Sequence, residues 1–138
     1  MTKDRIRETG VFSANLITEA MLPLADYLGN NEGYWADKMN INIDTIKGNV
    51  LNVPILTCSP WTFELEVSKS VSLDGGEVFL CKIRNVLAEE GLFDEAKGVE
   101  QKLQEIAPIS TTCSTYFSWN GKKLGAWGEQ QMNFTKSK

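Results

Sequence analysis

The fold is decided by the stretch Trp61-Thr62-Phe63-Glu64-Leu65-Glu66-Val67-Ser68, in which apolar and polar residues alternate without exception. A period of two predicts a β-strand with one apolar face and one wet face. Leu73-Asp74-Gly75-Gly76 follows with residues that accept a positive φ, and an apolar-rich segment then runs from Val78 to Val86. The sequence therefore predicts a β-hairpin from Trp61 to Val86.

Two helices are predicted ahead of this hairpin. The first runs from Lys3 to Thr9, with Thr2 as its N-cap and Gly10 directly after its end. The second begins after an N-cap at Thr18, carries an apolar stripe at helical spacing and ends at Gly29.

The remaining segments add strands and one more helix. Val11 to Leu16 is a strand candidate, and Gly91 to Ile106 is a charged segment with apolar residues at helical intervals. Ile109 to Trp119 is rich in β-branched and aromatic residues and predicts another strand, which the tight turn Asn120-Gly121 ends. These elements predict a mainly β fold with helices (α+β), in the form of a small barrel or sandwich.

Length and composition predict one compact domain over residues 1–138, because 42% of the residues are hydrophobic and 23% are charged. The net charge of −4 argues against nucleic acid and against an anionic membrane surface as partners. No apolar run is long enough to span a bilayer, and the first residues are charged, so a cytoplasmic protein is expected.

Residues suited to common catalytic and metal sites are scarce. The chain has no histidine, which argues against zinc sites and against Ser-His or Cys-His nucleophiles, so no metal is expected and no catalytic residue is assigned. Cys58, Cys81 and Cys113 form no CxxC pair and are predicted to be small core residues in a reducing compartment.

The connection from Asn30 to Met39 is the least core-like part of the chain. It is polar, it is broken by Gly33, and it carries the adjacent aromatics Tyr34 and Trp35 and the pair Asp37-Lys38. Taken alone, this composition is that of a surface turn.

Several motifs occur in the order found in a known family. Thr2 and Ile6 precede Thr9-Gly10-Val11-Phe12-Ser13-Ala14-Asn15-Leu16, which resembles a segment "TG-x-F-x-V-N-L". Further matches follow in order: Ala25-Asp26-Tyr27-Leu28-Gly29, Asp37-Lys38-Met39, Phe79-Leu80-Cys81-Lys82-Ile83 and Tyr116-Phe117-Ser118-Trp119-Asn120-Gly121-Lys122-Lys123-Leu124-Gly125. The chain thus resembles the flavin reductase-like, FMN-binding split-barrel family, and within it the flavoredoxin branch.

This resemblance implies an incomplete FMN-binding split β-barrel. Family members carry further N-terminal strands ahead of the segment that Thr2 matches, and this chain begins near that junction. Open strand edges invite pairing with another chain, so a homodimer or higher oligomer is expected.

The resemblance also implies cofactor-binding residues, each of which has a plainer alternative. Thr2 would meet the FMN phosphate or only cap a helix, and Lys38 would lie near the flavin or only pair with an acid in solvent. Tyr34 and Trp35 would stack on the flavin or pack on the barrel rim, and Tyr116 or Phe117 would approach the ring or belong to the sheet core.

Two functions follow from these alternatives. The first is an FMN-binding flavoprotein that passes electrons between reduced nicotinamide, flavin or a redox-protein partner, which would make it an NAD(P)H-dependent flavin oxidoreductase or an electron carrier. The second is a non-enzymatic, shortened split-barrel relative that serves as a binding or assembly module without flavin.

Overall fold

The computed structural model describes residues 2–31, 41 and 43–134. The chain divides into two compact units, of which the first is Met1–Asn15 with Asp44–Ala88 and the second is Leu16–Ile43 with Glu89–Lys138. Strands and short helices occur in both units, so the predicted α+β class is confirmed. The single domain over residues 1–138 stays a prediction. No helix in the described part of the chain is both long and apolar enough to cross a membrane.

The first unit is built on a three-stranded antiparallel sheet. Its elements are α1 (Thr2–Thr9), β1 (Val11–Asn15), β2 (Thr45–Lys47), β3 (Pro54–Leu56), β4 (Trp61–Leu73) and β5 (Gly76–Ala88). The sheet order is β1-β4-β5, and β2 pairs with β3 in a separate two-stranded ribbon. β4 is therefore the central strand, and each of its two edges is paired with a strand of the same sheet.

The predicted hairpin is confirmed. β4 and β5 pair antiparallel from Trp61 opposite Ala88 to Leu73 opposite Gly76. Gly75 in the connecting turn has a φ of +79°, a conformation that is open to glycine and costly for most other residues. The turn residues and the period-two pattern thus specify the same structure.

The burial of the side chains on the two faces of β4 differs from the prediction. Thr62 and Glu64, which the alternation places on the wet face, are 1% and 0% exposed, whereas Trp61 on the apolar face is 38% exposed. The prediction of a solvent-exposed polar face was wrong for Thr62 and Glu64, because Thr62 Oγ1 donates to Asn15 Oδ1 on β1 and Glu64 accepts from Asn49 N in the loop between β2 and β3. On the same face, Ser68 is exposed and the Glu66 side chain is 44% exposed, as predicted. The apolar face of this sheet is only partly covered.

α1 is held against the hairpin by an ion pair. Arg7 Nη2 lies 2.6 Å from Glu77 Oε2. Gly10, with a φ of +68°, donates its backbone N–H to Ile6 O and ends the helix as predicted. The helix itself begins at Thr2, one residue earlier than predicted.

The second unit combines helices with a three-stranded antiparallel sheet of order β6-β7-β8. Its elements are α2 (Leu22–Asn30), a 3-10 turn (Glu90–Phe93), α3 (Val99–Ile106), β6 (Ile109–Thr112), β7 (Thr115–Ser118), β8 (Lys123–Ala126) and a second 3-10 turn (Gln130–Asn133). The charged segment predicted as one helix from Gly91 is therefore a 3-10 turn followed by a short helix.

α2 begins later than predicted. Thr18 does not cap it, because the backbone of Thr18 forms a β-bridge with Pro108. Glu19 N also donates to Ala107 O at 2.9 Å, so this segment is held in extended contact with the chain ahead of β6. α2 starts after Met21, and Gly29 lies inside it rather than at its end.

The segment Ile109 to Trp119 is a hairpin rather than one strand. Cys113 and Ser114 form its turn with φ values of +50° and +54°. Neither residue is a glycine or asparagine, so a turn at this position could not be recognised from residue type. The turn at Asn120-Gly121 is confirmed, with a φ of +87° at Gly121.

Two of the three cysteines are not core residues. Cys58 and Cys113 are exposed and Cys81 is half-buried, and all three are free thiols. Cys58 follows β3 in a turn and Cys113 lies in the β6–β7 turn, which explains their exposure. The prediction that they fill the core was wrong for Cys58 and Cys113.

Candidate functional site

The second unit is organised around a buried carboxylate on α2. Leu22 and Asp26 are four residues apart and are the buried residues of this helix. Asp26 is 0% exposed. A charged group is costly to bury unless polar partners replace its water, so the environment of Asp26 must supply donors.

Four donors converge on this carboxylate. Its Oδ1 accepts from Tyr116 Oη at 2.8 Å, from Gly128 N at 2.8 Å and from Asn30 Nδ2 at 2.6 Å. Its Oδ2 accepts from Gln131 N at 2.8 Å. Asp26 therefore joins α2 to β7 and to the turn after β8.

These contacts set the protonation states. Burial alone would raise the pKa of Asp26, but the hydrogen bonds from Gly128, Tyr116 and Gln131 together outweigh it, and the pKa lies below its ordinary value. Burial, followed by the hydrogen bond to Asp26, raises the pKa of Tyr116 to about 12. At neutral pH Asp26 is thus an anion and Tyr116 a neutral donor.

A pocket of about 200 Å³ lies beside this network. The described residues that line it are Gly29, Asn30, Thr111, Tyr116 and Trp127. Trp127 Nε1 donates to Thr111 Oγ1 at 2.8 Å, which holds the indole. The pocket thus has two aromatic walls whose polar atoms are already bonded within the unit.

The first unit contains a second buried carboxylate, Glu64 on β4. Its oxygens accept from the backbone N–H groups of Asn49, Val50 and Leu51 at 2.9, 3.0 and 2.6 Å. Asn85 Nδ2 on β5 donates to Oε1 at 2.8 Å. Three successive N–H groups that converge on an anion form a backbone nest, and here a side chain of the same unit occupies it.

Gly48 permits this close approach. A Cβ built at Gly48 would lie 2.7 Å from Glu64 Oε2 and 2.7 Å from Leu51 O. Burial opposes the charge of Glu64, but the hydrogen bonds from Asn85, Leu51, Val50 and Asn49 lower its pKa. The role of Glu64 is to hold the loop between β2 and β3 in place.

The predicted cofactor residues fall in different parts of the chain. Thr2 is the exposed first residue of α1 in the first unit. Tyr116 and Phe117 are neighbours on β7 in the second unit, where Tyr116 is buried and Phe117 is half-buried. Tyr34, Trp35 and Lys38 lie outside the described residues.

The sequence did not reveal four residues of the pocket and its network. Asp26 was noted only as part of a motif, although an aspartate inside the apolar stripe of a helix is a signal for a buried, bonded carboxylate. Asn30, Thr111 and Trp127 carry no comparable signal, because the tertiary fold alone brings them beside Tyr116. Within residues 2–31, 41 and 43–134, no group of three or more His, Cys, Asp or Glu side chains is placed to hold a metal ion.

No protein-family model and no curated protein sequence matches the chain. Solved structures do match. Flavoredoxin from Methanosarcina acetivorans superposes with a TM-score of 0.74 at 22% identity over 93% of this chain and 67% of its own. Flavoredoxin of Desulfovibrio vulgaris (Miyazaki F) superposes with a TM-score of 0.66 at 19% identity, over 91% of this chain and 63% of its own.

The FMN-binding protein from Thermus thermophilus gives a TM-score of 0.61 at 26% identity, over 69% of this chain and 53% of its own. The chain thus spans between 53% and 67% of the length of these three structures. Its mixed strands and helices and its open sheets agree with the predicted incomplete split barrel. The chain therefore has a flavin reductase-like split-barrel fold.

Proposed function

We propose that this protein is an FMN-binding flavoprotein of the flavin reductase and flavoredoxin type. In this proposal it passes electrons between reduced nicotinamide, flavin or a redox-protein partner. The observation that carries the proposal is the fold match to a flavoredoxin over 93% of the chain with a TM-score of 0.74. The ordered sequence motifs from Thr2 to Gly125 support it independently.

The described residues suit parts of such a cofactor. Thr2 begins an eight-residue helix and is exposed, and the N–H groups of a first helical turn have no helical partner, so this end favours a phosphate. Tyr116 and Phe117 supply flat aromatic faces, but successive strand residues point to opposite faces of a sheet. One of the two would therefore contact the flavin ring, not both.

The residues of the polar connection complete the proposed site. Lys38 would stabilise negative charge on the reduced ring or on the phosphate, and Tyr34 with Trp35 would form a wall against the ring. Bound FMN would supply the redox chemistry, accepting a hydride or single electrons. The protein would bind and orient it, and would keep water from its reactive face.

We further propose that the protein is a homodimer. β5 is an edge strand of its sheet in the described part of the chain. Ile83 and Val86 on β5 are 60% and 45% exposed and pair with the half-buried apolar residues Leu65 and Phe63. A second copy is the occupant we assign to this partly covered apolar face, because apolar sheet faces are stabilised by removal from water.

Addition of FMN to the purified full chain tests the cofactor. We expect a yellow protein, or quenching of flavin fluorescence on titration, and at least tenfold weaker FMN binding in Lys38→Ala. Lys69→Ala is the matched control, because Lys69 is an exposed lysine on β4 outside the proposed site. A colourless, folded protein that takes up no added FMN would contradict the proposal and favour a non-enzymatic binding or assembly module.

A further inference from the structure

The pocket of the second unit lies at the C-terminal end of α2. Gly29 and Asn30 are the last two residues of that helix, and Tyr116 and Thr111 reach the pocket from adjacent strands. Trp127 follows β8 and lines the pocket as well. The lining thus comes from a helix end and from a sheet of the same unit.

Both aromatic walls are held before any ligand arrives. Tyr116 is 9% exposed and its hydroxyl is bonded to Asp26. Trp127 is 51% exposed, and its indole N–H is bonded to Thr111 Oγ1. Since their polar groups are already satisfied, the walls offer flat ring surfaces, and little conformational freedom is lost when a ring is bound.

The charge around the pocket disfavours an anion. The last carbonyl groups of a helix carry partial negative charge, and Gly29 and Asn30 belong to that end of α2. The buried carboxylate of Asp26 lies behind Asn30, whose Nδ2 is 2.6 Å from Asp26 Oδ1. None of the described lining residues is basic. N–H donors on a ligand would therefore be attracted, and carboxylates or phosphates repelled.

The size of the pocket limits the ligand. A protein cavity of about 150 Å³ is known to hold one benzene ring. At about 200 Å³ this pocket suits one ring or two fused rings, and is too small to enclose a whole flavin nucleotide.

We propose that this pocket binds a small planar molecule of one or two rings that carries N–H donors and no negative charge. Because Tyr116 lines this pocket, Phe117 on the opposite face of β7 is the aromatic residue assigned to the proposed flavin site. The two sites are therefore separate, and the pocket needs no flavin to bind its ligand. Its recognition elements are the faces of Tyr116 and Trp127 and the carbonyl end of α2.

Three probes of nearly equal shape test the charge preference. Benzamide carries N–H donors without charge, benzamidine carries them with a positive charge, and benzoate is an anion. Titration into the ¹⁵N-labelled full chain would follow the indole N–H signals of Trp127 and Trp61, each assigned with its Trp→Phe variant. We expect benzamide and benzamidine to shift the Trp127 signal at concentrations at least tenfold lower than benzoate, with Trp61 in the first unit unmoved. Equal binding of benzoate, or no shift of Trp127 by any probe, would overturn the proposal.

Gly29 allows a variant that fills the pocket without disturbing the fold. A Cβ at Gly29 meets no atom within 4 Å, and its φ is not in the left-handed region. We expect Gly29→Leu to weaken benzamide binding at least tenfold and Gly29→Ala to change it less than threefold. Unchanged binding in Gly29→Leu would contradict the site. If Gly29→Leu does not fold, Trp127→Ala gives the same test by removing one wall.

Benzamide titrations with and without FMN distinguish binding in this pocket from binding at the proposed flavin site. The benzamide titration is made on flavin-free protein and repeated with FMN, and we expect affinities that agree within twofold. Displacement of benzamide by FMN would overturn the separate site. A protein that binds no FMN but still binds benzamide at Trp127 would contradict the proposed function alone.

Discussion

The phenol oxygen of Tyr116 lies 2.8 Å from Oδ1 of Asp26, and both side chains are buried. This bond joins β7 to α2 across 90 residues of sequence. Because Asp26 also holds the turn that contains Gly128, the same carboxylate fixes the two sides of the pocket. The integrity of the pocket should therefore depend on this pair.

Replacing Tyr116 by Phe removes one donor to Asp26 and leaves the other three. We expect the free energy of unfolding to fall by about 1.5–3 kcal/mol, the usual range for hydrogen bonds to charged groups. Urea denaturation at pH 7 measures this loss. A variant as stable as the parent would show that Tyr116 contributes only its ring.

The same hydroxyl predicts an alkaline transition. The folded pKa of Tyr116 is raised from 10.0 to about 12, so the unfolded chain releases this proton first and stability is lost as the pH rises from 10 towards 12. Phenolate absorbance should show a step near pH 12 that Tyr116→Phe removes. If the step remains in the variant, it belongs to another tyrosine.

Glu64 and Glu66 provide a matched pair on β4. Glu64→Gln introduces an NH₂ group among the N–H donors of Asn49, Val50 and Leu51, and should cost about 2–4 kcal/mol of unfolding free energy. Glu66 is paired with Arg84 at 3.3 Å on the surface, and Glu66→Gln should cost less than about 1 kcal/mol. Equal losses in thermal or urea unfolding would contradict the nest around Glu64.

This pair also shows how far the sequence could predict the fold. The period-two alternation places Glu64 and Glu66 on one face, and it correctly predicts the strand and the hairpin. It does not distinguish a buried acid from a surface acid, because the difference comes from a loop 13 to 15 residues earlier that donates to Glu64 alone.

Other differences have similar long-range causes. The start of α2 was misplaced because Thr18, a good N-cap by composition, is bridged to Pro108 ninety positions later. The β6–β7 turn was missed because Cys113 and Ser114 adopt positive φ without a glycine signal. Asp26 and Trp127 belong to one site only through tertiary contacts.

The two buried carboxylates predict acid sensitivity. Their folded pKa values lie below the ordinary values of 3.8 for Asp26 and 4.5 for Glu64. Their stabilising effect is therefore complete above those ordinary values and is lost as the pH falls through the lowered ones. Urea midpoints measured from pH 7 to pH 2.5 should fall in this acid range. Asp26→Asn and Glu64→Gln should each be less stable at pH 7 and less sensitive to acid, and an unchanged acid slope would contradict the assignment.

Gly48 should tolerate no side chain. Gly48→Ala places a Cβ 2.7 Å from both Glu64 Oε2 and the backbone oxygen of Leu51, so the loop or the carboxylate must move. We expect a loss of about 1–3 kcal/mol, typical of overpacking. Gly76→Ala is the control, since a Cβ there meets nothing within 4 Å. Similar melting temperatures for the two variants would show that the loop adapts freely.

If the protein is a homodimer through this sheet, the two faces of β5 should respond differently to a charged substitution. Ile83 lies opposite Leu65 on the apolar face, whereas Val78 lies five residues earlier on the other face of the same strand. These residues are 60% and 42% exposed, so a lysine at either position leaves the folded single chain nearly undisturbed. If a second copy covers the apolar face, Ile83→Lys should convert the dimer to a monomer, because dimer formation would bury its charge. Val78→Lys should remain dimeric. Sedimentation velocity at micromolar concentration distinguishes the species, and a parent chain that sediments as a monomer would contradict the dimer and leave the exposure of Ile83 and Val86 as a property of the single chain.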